Sequence, residues 1–438
     1  MLLFENLWWL IVMIGVMILV HELGHFCVAR LFDVRIDVFS FGFGPRLFGF
    51  RRGETDYRFS LILLGGYVKM AGEQPRDETA NDPRAFLAKP RWQRLMIAGA
   101  GPAMNIVLAV TLLTGLFMVK HQRPADQDQR AVIGHVFPDT AAARAGLRAG
   151  DLIVRIDDAG DPNWEDVVLK EVSSAQRPLQ VKVEREGKQF WVTVTPVIEE
   201  RSGLGFAGWA EDRDVQLADV SPGMPAEKAG LRAGDILLTV EGKPIRSVYR
   251  LHEIVRGTGG KEVTIEYSRQ ERAAAVTVKP VFAGLDGPPR WMIGVSPAHR
   301  LITSRLSFPA ALRESVRHNL KNATLIYRFL KGIIERRLSP RSIEGPIGIA
   351  RLSGDAAREG APAFLVLMAI VSLNLAVFNL LPIPILDGGV ILLLVVEMLL
   401  GRDLSLAVKE TVFKLGLVFL MVVVAFVLYN DISKMLPG

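Results

Sequence analysis

The chain has 438 residues, half of them hydrophobic, 22% charged, with a net charge of +6 and a single cysteine. Its mean hydropathy is positive in spite of that ordinary charge content, so apolar spans must alternate with soluble modules, and the length implies about three units. The small net charge gives no support to nucleic-acid binding, and lone Cys27 excludes an internal disulfide framework and a cysteine-rich zinc site.

The first apolar run, Leu7 to Val20, continues through His21–His25 to Ala29. No basic segment precedes it and no small-x-small cleavage site follows, so residues 1–30 are expected to stay as a first transmembrane helix rather than leave as a signal peptide. Within it stands His21-Glu22-Leu23-Gly24-His25. On a helix, residues four apart share a face, so both imidazoles can hold one Zn²⁺ while Glu22 reaches a water on the metal. Zinc lowers the pKa of such a water to roughly 7, and a carboxylate base completes the nucleophile. Three ionisable groups within five positions of an apolar span mark a functional site. The bland alternative is a polar end to the span.

Residues 31–94 contain Gly42-Phe-Gly-Pro45 and Leu61-Ile-Leu-Leu-Gly-Gly-Tyr-Val-Lys-Met70. Glycines among aromatic and aliphatic residues predict hairpin strands, either dipping into the bilayer edge or forming a small cytoplasmic sheet. The next span, 95–119, carries no charge. Arg30–Arg94 holds 12 Lys/Arg against 8 Asp/Glu, with the basic residues near both flanking spans, so it is expected in the cytoplasm with both termini outside.

The stretch after the second span is then exported. It contains a repeat: Ala145-Gly-Leu-Arg-Ala-Gly-Asp151 recurs as Ala229-Gly-Leu-Arg-Ala-Gly-Asp235, an offset of 84 residues, with Val/Ile-rich strands on either side of each copy. The first glycine suits a left-handed helix cap and the Gly-Asp pair turns the chain into the next strand. A period of this length fits whole domains. The pattern resembles two tandem PDZ domains, 120–201 and 202–298, and Gly203-Leu-Gly-Phe206 looks like a carboxylate-binding loop. In the following segment, 299–360, apolar residues at three- and four-residue spacing over Phe308–Ile334 predict a basic amphipathic helix on the outer membrane surface, or one packed on the second exported unit.

A third span runs from Ala361 towards Leu386 and is broken by Pro382 and Pro384, within a unit spanning 361–400; a fourth occupies 411–430. A catalytic zinc needs a third protein ligand and an open position. His121, His135, His252, His299 and His318 lie in or near the exported segment and are poor candidates. Asp387, after the prolines and before Gly388-Gly389, lies at membrane level where broken helices are tolerated beside a cavity. Its alternative role is to cap a short helix, Val390–Leu400.

These features together resemble the site-2 protease family of intramembrane zinc metalloproteases, in particular its bacterial RseP-type members. The residues that carry the likeness are the His-Glu-x-x-His of the first span, Asn379-Leu-Leu-Pro-Ile-Pro-Ile-Leu-Asp387-Gly, the intervening exported repeat, Gly65-Gly-Tyr-Val-Lys-Met70 and Gly345-Pro-Ile-Gly348. The resemblance implies a multi-pass α-helical membrane protein with four transmembrane helices, a membrane-associated β-hairpin region and two tandem PDZ domains. It implies zinc on His21, His25 and Asp387, with Glu22 as the acid/base. Asn379 would position substrate or stabilise the oxyanion, with Asn374 a second candidate. Close relatives often have histidine after Asp-Gly-Gly, where this chain has Val390, a position that is not a required ligand. The hairpin would guide substrate, and Gly65, Gly66 and Tyr67 are expected to supply an edge that binds the unwound substrate by β-addition.

The implied location is the bacterial inner membrane, with the PDZ pair in the periplasm acting as a size filter and the active site towards the cytoplasm. The implied partners are the lipid bilayer and single-span substrates of the anti-sigma-factor type, trimmed first by another protease, with remnant signal peptides as a second class. The rival from another class is a catalytically silent PDZ scaffold, which has no need of His21, Glu22, His25 and Asp387 together. A metal transporter would want rows of ligands across several spans, and the second span has none.

Overall fold

In a computed structural model the described residues are 2–73, 82–125, 129–199, 204–284, 289–335 and 345–435. The chain divides into a membrane unit (1–121, 305–327 and 343–438) and a second unit (122–304 and 328–342). Four helices among the described residues are long and apolar enough to cross a bilayer: Phe4–Leu31, Arg91–Val119, Ala361–Asn379 and Leu406–Lys434.

The membrane unit begins with α1 (Leu2–Leu31), followed by two long strands, β1 (Ile36–Arg52) and β2 (Thr55–Met70). Both strands bend, so the sheet is effectively four-stranded. The start of β1 lies between the two ends of β2, with Val38 opposite both Asp56 and Lys69, and the end of β1 pairs only with the start of β2. The last stretch of β2 is therefore an edge, and it packs on α1. Ala29, Val34, Ile36, Val68, Met70, Phe86 and Ile97 form a buried cluster that fixes this sheet against α1 and α2 (Arg91–Val119). The far end of the hairpin exposes Leu47, Phe48, Phe50, Phe59, Leu61 and Ile62. An apolar patch of that kind suits lipid rather than water.

The second unit is built twice from one pattern. Helices α3 (Ala141–Arg144) and α4 (Trp164–Ser173) of the first copy recur as α5 (Pro225–Lys228) and α6 (Val248–Gly257). Core residues repeat at the same interval as the sequence motif: Ile133, Leu147, Ile153 and Val181 in one cluster match Leu217, Leu231, Leu237 and Ile265 in the other. In each copy the motif aspartate is a buried clamp. Asp151 accepts Arg148 N–H at 2.8 Å and both Nε and Nη2 of Arg185 at 2.6 and 2.7 Å, while Arg185 also donates to Gly146 O. Asp235 repeats this with Arg232 N–H and with Arg269, which donates to Gly230 O. Bidentate charge-assisted bonds of this kind are the strong ones.

The junction between the copies lies later than the expected 201/202. Strand Gly205–Phe206 pairs with Val197–Ile198, and Trp209–Glu211 pairs with Ile133–Val136, so this stretch completes the first copy. The second copy is completed in the same way by Val295–His299 against Val215–Val220. Of the expected carboxylate-binding loop, Gly203 lies outside the described residues.

Glu171 on α4 holds the completing segment in place. Its buried carboxyl accepts Ala207 N–H at 2.6 Å and the Trp209 indole N–H at 3.0 Å. Burial pushes this carboxyl up to about 7, against the pull of the N–H donors. A raised carboxyl pKa means the native state holds a proton that the unfolded chain has lost, so stability should fall as pH rises from about 4.5 through 7, by about 3 kcal/mol at most. Thermal unfolding of the full-length protein followed at Trp209 as sole tryptophan should show a higher midpoint at pH 5 than at pH 8. A flat profile would contradict it.

The chain returns to the membrane unit through α7 (Phe308–Ile334), as expected amphipathic, with Leu312, Val316, Leu320, Tyr327 and Ile334 exposed. Ser315 Oγ on its inner face donates to Val110 O of α2 at 2.8 Å. Next come α8 (Pro346–Glu359), α9 (Ala361–Asn379), α10 (Asp387–Leu400) and α11 (Leu406–Met435). Asp431 of α11 accepts the N–H groups of Gly345, Ile347 and Gly348 at the start of α8, satisfying orphan donors there. As expected, the prolines end α9, and 380–386 is non-helical.

Candidate metal centre

The site starts from α1. Four-residue spacing sets His21 and His25 on one face, both buried, with their Nε2 atoms 3.3 Å apart. Asp387 is the first residue of α10, where a carboxylate is favoured by the helix dipole. It arrives there because Pro382 and Pro384 cannot continue α9, and because Gly388 and Gly389 let the broken segment lie against α10. A Cβ at Gly388 would come within 2.2 Å of Leu381 O, and one at Gly389 within 2.4 Å of Ile383 O. Ile385, just before the aspartate, takes φ 89°, a strained value for a β-branched residue of the kind that clusters at functional sites.

The break brings Asp387 Oδ2 to 3.1 Å from His21 Nε2 and Oδ1 to 3.5 Å from His25 Nε2. The three donors thus form a nearly equilateral triangle. A tetrahedral ion with arms of about 2.0–2.1 Å has donors about 3.3 Å apart along each edge. The described residues contain this one His/Cys/Asp/Glu cluster able to hold an ion, and two imidazoles with one carboxylate are a donor set that zinc accepts. The residues fit the metal.

Helix α2 backs the centre. Gly101 abuts both rings, for a Cβ there would stand 2.3 Å from His25 Nε2 and 2.7 Å from His21 Nε2. His25 Nδ1 donates to Ile97 O at 2.8 Å, which leaves its Nε2 lone pair facing Asp387. The Asn105 amide lies 3.1 Å from His21 Nδ1.

A cavity of about 870 Å³ opens on the triangle and is lined by His21, Glu22, His25, Tyr67, Asn379 and Asp387 among others. Of the sequence candidates, Asn374, Gly65 and Gly66 are not in its lining. Asn374 lies half-buried on α9. Gly65 is covered by the Phe43 ring, and Gly66 packs between Ser40 O, Ile18 and Glu22. The Val68 N–H bonds the Glu22 carboxylate, so the free edge of β2 faces the centre.

Several lining groups escaped the sequence reading. At its far side the cavity meets Arg94, Glu397 and Lys409. Lys409 Nζ lies 2.6 Å from buried Glu397, which also accepts Leu404 N–H, and Arg94 pairs with Asp403 at 3.1 Å. Glu397 inside an apolar helix was the legible signal. For α2 the signals were Gly101-Pro102 and Asn105, polar or small positions in an otherwise aliphatic run.

A metal-ready triangle inside a bundle of apolar helices, beside the Glu22 carboxylate, defines a membrane metallopeptidase. The chain belongs to Peptidase family M50, whose family model matches residues 9–423. It is 32% identical to the regulator of sigma E protease of Salmonella typhi over 98% of this chain and 99% of that protein. With RseP of Escherichia coli strain K12, also a regulator of sigma-E protease, it shares 30% identity over 97% of this chain and 98% of that one. A Neisseria meningitidis serogroup A protein described as a zinc metalloprotease is 32% identical over 96% of this chain and 97% of its own length. Among solved structures, the PDZ domain of an SdrC-like protein from Listeria innocua covers 20% of this chain and 96% of that domain at 25% identity, with a TM-score of 0.18.

Proposed function

We propose that this metallopeptidase is a zinc-dependent site-2-type endopeptidase of the inner membrane, with His21, His25 and Asp387 as ligands and Glu22 as acid/base. The observation that carries the reading is the donor triangle of 3.1, 3.3 and 3.5 Å, set within apolar helices with Glu22 beside it. Bound zinc supplies a Lewis acid that polarises the scissile carbonyl and promotes ionisation of water. Glu22 takes the proton from the attacking water and returns it to the leaving amine. Asn379, in the cavity lining, offers its amide N–H to the developing oxyanion. The Tyr67–Met70 edge of β2 holds the substrate backbone, which must unwind locally because a transmembrane helix has all its backbone groups bonded internally.

The substrates we infer are single-span membrane proteins of the anti-sigma-factor type after removal of their exterior part, with remnant signal peptides as a second class. The two exported copies are PDZ domains in the periplasm that exclude untrimmed substrates, and the metal centre lies towards the cytoplasm. Detergent-solubilised protein should cleave a model transmembrane substrate and stop when zinc is stripped by a chelator, recovering on re-addition. Activity that persists in verified zinc-free protein would overturn the reading. Removal of both exported copies should permit cleavage of untrimmed substrate. If activity is instead lost with no gain in substrate range, the size-filter role fails.

A further inference from the structure

Asn105 lies fully buried in α2, in a run that carries no charge. Its Nδ2 is 3.1 Å from His21 Nδ1, and its Oδ1 is buried with no hydrogen-bond partner among the described residues. The Ser372 hydroxyl of α9 donates to the Asn105 backbone carbonyl at 2.9 Å, tying this turn of α2 in place. A buried primary amide is costly unless it is bonded, so a residue needed only for packing would be better as leucine.

We propose that Asn105 is a positioning residue of the metal centre, its carboxamide oxygen accepting the Nδ1–H of His21 when the metal is bound. The proposal rests on the reading of His21 as a ligand through Nε2, the ring nitrogen that faces Asp387 and His25. An imidazole that gives its Nε2 lone pair to a metal carries its proton on Nδ1, and that proton needs an acceptor to fix the ring. His25 meets the same need with Ile97 O at 2.8 Å. For His21 the group at that place is the Asn105 amide.

The amide oxygen and nitrogen exchange places by a half-turn. In the structure Asn105 Nδ2 lies 3.1 Å from His21 Nδ1 and His21 Nε2 lies 3.1 Å from Asp387 Oδ2, a placement that suits a proton on Nε2. With metal, the proton moves to Nδ1 and the amide turns its oxygen towards it. Asparagine serves both forms, aspartate serves the loaded form, and leucine of nearly the same shape serves neither.

The test uses full-length protein in detergent: wild type, Asn105→Leu and Asn105→Asp. Zinc affinity is measured by chelator competition, and coordination by the visible spectrum of the Co²⁺-substituted form. Asn105→Leu should hold zinc about 10–100-fold more weakly, the usual effect of losing an outer-shell partner. Asn105→Asp should hold zinc at least as tightly as wild type with an unchanged cobalt spectrum. Wild-type affinity in Asn105→Leu overturns the proposal, and so does an Asn105→Asp variant as weak as the leucine one, because the amide would then be acting as donor. Should Asn105→Leu not fold, the aspartate arm decides alone. Wild type that binds no zinc defeats the metal reading itself, a result separate from either.

Discussion

Glu22→Gln protein is expected to purify with its full zinc complement and to cleave a transmembrane substrate about 10²–10⁴-fold more slowly, the range a positioned acid/base supplies. The substitution keeps the shape and volume of the side chain beside Val68 and leaves His21, His25 and Asp387 untouched. It removes the ability to take a proton from water. Metal content and single-turnover cleavage measured on the same preparation check the expectation. Activity within a few-fold of wild type would take Glu22 out of the reaction. Parallel loss of zinc would make it a structural support of the site.

Gly101→Ala is expected to weaken metal binding severely, whereas Gly99→Ala, two residues earlier, should be silent. Both glycines lie within α2, so both exchanges gain helix propensity, about 0.5–1 kcal/mol. They differ in what the added carbon meets. At Gly99 nothing lies within 4 Å, whereas at Gly101 the methyl would stand 2.3 Å from His25 Nε2 and 2.7 Å from His21 Nε2. One ring or the other must leave the triangle, or α2 must retreat from α1. Zinc affinity should fall on the order of a hundredfold or more, as for loss of outer-shell support, with cleavage falling alongside. Equal zinc binding by the two variants would show that the helices have room to spare there.

The sequence was most informative where polar residues interrupt apolar runs. His21, Glu22 and His25 stand out because burial of such groups in a span has a cost that function must repay, and Asp387 stands out because two prolines precede it. Periodicity marked α7, long runs with little or no charge marked the four spans, and identity between Ala145–Asp151 and Ala229–Asp235 marked the duplication. The partners of these residues were less legible. Arg185 and Arg269, which complete the aspartate clamps, come 34 residues after them on another strand, and neither local pattern nor spacing announces that pairing. The contribution of α2 was hidden for a different reason. Gly101 acts by lacking a side chain, and a backbone carbonyl such as Ile97 O has no signature at all. The junction near Glu211 was missed because strand exchange between neighbouring segments depends on tertiary pairing. The resemblance put a substrate-binding edge on Gly65, Gly66 and Tyr67; Gly65 lies beneath the Phe43 ring and Gly66 beside Ser40 O, whereas Tyr67 lines the cavity.

The Glu171 carboxyl has a consequence for how the duplicated copies have parted. They share a scaffold down to the geometry of their Arg–Asp clamps, but the position 84 residues after Glu171 is Val255. The first copy has therefore committed the amide of Ala207 and the indole of Trp209 to its own chain. Any foreign terminus seeking those donors must first evict a resident carboxyl, whereas an equivalent visitor to the second copy meets an aliphatic side chain at that point. Alike in scaffold, the two copies differ at the helix position that ties down the completing segment, and exchanging one for the other would not conserve that tie.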